Sequence, residues 1–142
     1  MENNKMRPTY ERDSDRNNEQ YVKDYIEASG QFILKKSEPF APIDGLLFRG
    51  KKHVANVEIK TRTNTSDKYP TYMISTKKIK TILHLSEKEK VMPLLVVKFK
   101  DGVFAVPLRT GYEERLGGRY DRNDSCDTET CTYIPMTEFK QI

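Results

Sequence analysis

Hydrophobic and polar positions alternate most clearly in "HVANVEIK", residues 53–60, where Val57 and Ile59 interleave with Asn56, Glu58 and Lys60. A period of two predicts a strand with Glu58 and Lys60 side by side on one face. Upstream, Tyr21, Val22, Tyr25, Ile26 and Ala28 recur at helical spacing, with Asn17 and Gln20 as a capping pair and Gly30 as the stop. "QFILKK" predicts a first strand, and the Pro-containing "SEPFAP" interrupts pairing after it. "IDGLLFRGKKHVANVEIK" then predicts a hairpin, and "TRTNTSDKYPTY" has the composition of a loop.

Ser75 caps a predicted helix through "TKKIKTILHL", whose buried stripe is Ile79, Ile82 and Leu83, and Ser86 with Glu89 suggests a second short capping box. "MPLLVVKFK" and "VFAVPL" flank Asp101-Gly102, a strong hairpin signal. "GYEERLGGRYDRNDSCDTETC" reads as loop, and "TYIPMTEFKQI" as a short strand with a terminal helical turn. The order of helix, three strands, helix, two strands and a closing element predicts an α/β or α+β fold, a central mixed sheet flanked by helices. Residues 1–16 lack periodicity and are expected to be a loose arm, with residues 17–142 forming a single domain.

The hairpin places charge where a core belongs. With a three-residue turn at Gly50, Lys51 and Lys52, Arg49 pairs with His53, and the same register sets Asp44 opposite Glu58. Two carboxylates and the Lys60 ammonium then share one patch of sheet. Like charges across a strand pair repel, so a cation is needed between them. A hard divalent ion meets that need, and so does a surface salt-bridge cluster built on Lys60.

Charge distribution adds a partner. The chain of 142 residues carries a net charge of +4, but from Gly45 to Lys100 there are 13 lysines and arginines against four acids. Such a basic middle suits a polyanion, with Lys51, Lys52, Arg62, Lys77 and Lys78 as candidate nucleic-acid contacts. Lys77 and Lys78 stand in the first turn of a helix, where cations oppose the dipole unless a phosphate binds there; two solvated lysines give the same pattern. Glu19 extends the core-facing stripe of the first helix, or simply sits where acids favour a helix start.

Cys126 and Cys131 are too few for a disulfide framework or a four-ligand zinc site and receive no role. His53 and His84 have no partner at ligand spacing, and "DRNDSCDTE" lacks the glycine of a calcium loop. No apolar run is long enough to span a bilayer and the polar start lacks a signal-peptide pattern, so a cytoplasmic location, away from membranes, is expected.

Asp44, followed fourteen residues later by "EIK", resembles the D…(D/E)-x-K signature of the PD-(D/E)xK nuclease superfamily, in the flavour of the small Holliday-junction resolvases and phage-encoded nucleases. The likeness covers roughly residues 17–108; "PID" replaces "PD", with Pro42 one residue further from Asp44. It implies a restriction-endonuclease-like core and hydrolysis of phosphodiester bonds. It also implies Mg²⁺ or Mn²⁺ held by Asp44, Glu58 and the carbonyl of Ile59, with Lys60 serving the attacking water and the phosphate. Glu19 matches an acid that reaches the metal in several resolvases, and Lys77 or Lys78 matches a basic residue presented by the second helix. The implied partners are DNA, above all branched or junction DNA, and a second copy of the chain in a homodimer. A binding module on the same fold and a restriction-type nuclease are the competing readings.

Overall fold

The longest strand, Lys52–Thr61, organises the molecule. The structure is a computed structural model that describes residues 17–116 and 130–142. A helix over residues 17–27 (α1) precedes β1 (Ile33–Lys36), β2 (Gly45–Arg49) and β3 (Lys52–Thr61). Then come β4 (Thr71–Ser75), α2 (Thr76–Glu89), β5 (Met92–Phe99), β6 (Gly102–Pro107) and β7 (Glu113–Leu116). The chain closes with β8 (Thr130–Pro135), a 3₁₀ turn at Met136–Glu138, and β9 (Lys140–Gln141).

Six strands form one mixed sheet in the order β1-β2-β3-β5-β6-β9, in which β3 and β5 are parallel and the other neighbours antiparallel. A second, antiparallel sheet has the order β4-β8-β7. The parallel pair requires a crossover, and residues 62–91, with β4 and α2, provide it. The fold is therefore α+β with a central mixed sheet, as the order of elements predicts.

Each face of the large sheet has its own core. Ala55, Val57 and Ile59 of β3 face α1 and pack with Val22, Leu34, Leu47, Val96 and Val103. On the opposite face Leu95 and Val97 of β5 join Ile79 and Ile82 of α2, with Tyr72, Ile74 and Ile134 of the small sheet. Burying each such aliphatic side chain contributes roughly 1.5–3 kcal/mol. Glu58 lies beside Leu95 and Lys60 beside Val97, so β3 turns Asn56, Glu58 and Lys60 toward this second core. A row of polar groups thus runs along the edge of an apolar layer.

Several local readings are corrected. The hairpin turn has two residues, Gly50 and Lys51, so Arg49 pairs with Lys52 and Phe48 with His53. Gly50 takes φ +64°, which a two-residue turn opening on a left-handed position needs. A bulge then inserts Val54 between the His53 and Ala55 pairs and restores Gly45 opposite Val57. "TYMIS", read as loop and cap, is strand β4, paired with β8 about sixty residues away. Part of the tail read as loop is the exposed strand β7.

Helix α2 is continuous, and Ser86 lies inside it, buried, instead of starting a second helix. Ser75 stands at its N-cap without a capping hydrogen bond from its hydroxyl. Residue 17 is already helical, so Asn17 lies within α1 and does not cap it. The expected arm at 1–16, the acidic run and Cys126 fall outside the described residues, whereas Cys131 is fully buried in β8.

Helix α2 ends at Lys90, which adopts φ 60° and ψ 44° while its N–H and that of Val91 close on the carbonyls of Glu87 and Ser86. This is the glycine position of a Schellman end, costly for a side chain. Lys90→Gly is expected to stabilise the protein by about 0.5–1 kcal/mol, seen as a higher urea midpoint at unchanged slope.

Candidate active site

Asp44 is the last residue before β2 and is fixed from three sides. Its N–H donates to the Val57 carbonyl at 3.0 Å, and its carbonyl accepts from the Ser37 N–H at 3.0 Å. Its Oδ2 accepts from the Ile59 N–H at 2.8 Å. The restored register, reached through a different turn from the predicted one, ends at the Gly45–Val57 pair, and Asp44 sits one residue beyond it, its charge bearing on Glu58. Because a strand residue's N–H and C=O point toward the same edge, the Ile59 carbonyl is directed to the side where Asp44 sits.

Glu58 is 3% exposed. Its Oε2 lies 3.6 Å from both Lys60 Nζ and Lys78 Nζ, beyond hydrogen-bonding range. Its Oε1 is buried without a hydrogen-bond partner. Burial, reinforced by the neighbouring Asp44, pushes the Glu58 carboxyl up to about 7, against the pull of Lys78 and Lys60. Two nearby lysines therefore fall short of compensating this acid.

The remaining sequence candidates divide. Lys78 reaches Glu58, while Lys77 is exposed and lines an outer cleft with Lys80 and His84. Glu19 lies 3.5 Å from Lys36, whose strand neighbour is Gly45, next to Asp44. It therefore borders the acids without joining them, and no group of three acids, histidines or cysteines at metal-binding distance occurs among the described residues. Lys51 and Lys52 lie at the other end of β3, about 20 Å from Glu58 by strand rise. Arg62 continues past β3, its guanidinium 4.7 Å from the Tyr72 ring centre.

One positioning group escaped the sequence reading. Asn56 is fully buried; its amide donates to Ser86 Oγ (3.2 Å) and Glu89 Oε1 (2.9 Å), and its Oδ1 meets His53 Nε2 at 3.0 Å. These bonds hold the C-terminal half of α2 on β3, as Lys78 ties the N-terminal half to Glu58. The clue was available, since Asn56 alternates with Glu58 on one face and Ser86 follows Lys78 by two helical turns.

A mixed sheet with paired acids and a lysine at the end of its central hairpin defines a nuclease core of the PD-(D/E)xK class. Residues 5–142 match the family model described as "Phage putative PDDEXK endonuclease", and the chain belongs to that family. Among solved structures it is similar to the Holliday junction resolvase Hjc of Archaeoglobus fulgidus. The TM-score is 0.60 at 12% identity over 89% of this chain and 90% of that one, a likeness of fold. Among curated proteins none matches significantly. No helix among the described residues is long and apolar enough to cross a membrane.

Proposed function

We propose that the chain is a divalent-metal-dependent DNA endonuclease whose ion, Mg²⁺ or Mn²⁺, is held by Asp44, Glu58 and the Ile59 carbonyl. The observation that carries this reading is the buried, unpartnered Oε1 of Glu58 beside a second carboxylate. Lys60 and Lys78 approach only the other oxygen, so Oε1 is open to a further cation, and the donor set is all oxygen, as these hard ions require. When bound, the ion supplies Lewis-acid chemistry, neutralising charge at the scissile phosphate and activating water for attack.

The protein's own groups do the rest. The Ile59 N–H fixes the Asp44 carboxylate, so that its geometry is set before substrate arrives. Lys60, one strand-repeat from Glu58, is placed to orient the attacking water and to offset charge as the phosphodiester bond breaks. Lys78 favours the charged form of Glu58 against the burial that opposes it. Glu19 pairs with Lys36, whose strand neighbour Gly45 adjoins Asp44.

The preferred substrate in this reading is branched DNA, supported by the fold shared with a protein described as a Holliday junction resolvase. Two symmetric cuts at a junction need two active sites, which a homodimer supplies. Labelled four-way junction, flap, duplex and single-stranded DNAs, incubated with and without Mg²⁺, test this. Mg²⁺-dependent cutting with the junction cut fastest is expected. Binding without cutting would replace the enzyme with a binding module, and equal cutting of every form would remove the junction preference.

A further inference from the structure

A cleft of about 430 Å³ opens two residues beyond Lys60, lined by Arg62, Asn64, Ser66, Tyr69, Arg115 and Tyr133 among others. It falls within the range of roughly 300–1,000 Å³ that small-molecule-sized ligands occupy. The geometry points to a subsite for one unstacked nucleobase of the DNA strand being processed, a deeper statement of the nuclease reading on which it rests.

The lining has the chemistry of base stacking. The Arg115 guanidinium lies 4.2 Å from the Tyr133 ring centre, and that of Arg62 lies 4.7 Å from the centre of Tyr72. A guanidinium held over a ring is set in advance, and its plane is a stacking surface for a base. Tyr69 adds an aromatic side chain that is 43% exposed. Every base has a π face, so such a site accepts any of them.

The wall is rigid as well as aromatic. Ser66 donates through both its N–H (2.8 Å) and its hydroxyl (2.6 Å) to the Asp101 carboxylate, and the Asn64 carbonyl accepts from Lys100 at 3.0 Å. The segment following β3 is thereby pinned to the β5–β6 hairpin. A preformed cleft loses less entropy when it fills.

The location connects the cleft to the acids. The Arg62 N–H still bonds the Lys98 carbonyl at 2.9 Å, so the chain stays extended beyond Thr61. Glu58, Lys60 and Arg62 therefore alternate on one face, and Arg62 stands about 13 Å along the strand from Glu58. A base received there lies a few nucleotides from the bond to be cut. Fully paired DNA keeps its bases stacked, so the cleft favours strands with unpaired nucleotides near the cut.

Binding reads this without cleavage. Stem-loop DNAs with short thymidine tails are compared, by fluorescence anisotropy in EDTA, with the same DNAs carrying abasic spacers in the tails. Both sets keep every phosphate, so the basic surface attracts them equally. Wild type is expected to bind the thymidine tails about ten-fold more tightly. Tyr69→Ala and Arg115→Gln should each bring that ratio close to one. A wild-type ratio of one, or a ratio that survives both substitutions, overturns the proposal. Cutting by the wild type in Mg²⁺, scored separately, reports on the nuclease reading, so the two failures are distinct.

Discussion

Glu58→Gln is expected to lose cleavage by at least about a hundred-fold while making the metal-free protein more stable above neutral pH. In the folded chain burial and Asp44 keep a proton on Glu58 up to about pH 7, against an ordinary value of 4.5. Between those values the folded state binds more protons than the unfolded one. The free energy of unfolding therefore falls as pH rises through this window, by up to about 3 kcal/mol from this residue. Glutamine carries no charge and escapes the loss. The variant's advantage should be absent at about pH 4, grow through the window and be complete near pH 8. Urea melts in EDTA at those two values would show it, and a variant no more stable than wild type at the higher pH would contradict the assignment.

The lysines give the second large effect. Lys60 and Lys78 approach the same oxygen of Glu58 at the same distance of 3.6 Å, but only Lys60 shares its strand. Lys60→Ala is expected to slow cleavage by about 10²–10³-fold, the scale of losing one group that meets transition-state charge. Lys78→Ala removes charge that favours ionised Glu58, so the acid limb of its pH–rate profile should move to higher pH. Lys77→Ala, one residue away and exposed, should leave that limb in place. An equal displacement in the Lys77 and Lys78 variants would place the effect in general surface charge, contrary to the geometry.

The site was more legible than the fold around it. Alternation along β3 put Glu58 and Lys60 on one face because a period of two leaves no other arrangement. The hairpin register was right as far as Gly45 and Val57, beside Asp44 and Glu58, for an incomplete reason. A three-residue turn and a two-residue turn followed by a bulge at Val54 displace the strands equally, and only the structure distinguishes them.

What was not legible depends on distant partners. Strand β4 follows the Pro70 turn and pairs with a strand far along the chain, so its local composition said loop. Strand β7 is exposed at all four residues and has no hydrophobic alternation to read. Ser86 and Glu89 do resemble a helix start, but Asn56 recruits both into the flank of a continuous helix. The Val22 stripe of α1 was correctly placed in the core, yet Glu19 at its border turned to Lys36, a pairing that sequence spacing does not contain.

The central claim is that Asp44 and Glu58 together hold a divalent cation. A ligand bound only by the native state raises its stability by RT ln(1 + [L]/Kd), about 2.7 kcal/mol at a hundred-fold excess over Kd. Thermal melts of the wild type and of the double variant Asp44→Asn, Glu58→Gln, each with and without Mg²⁺, measure this directly. The expected result is a rise in Tm of several degrees for the wild type and none for the double variant. No rise in the wild type, or the same rise in both proteins, would contradict it.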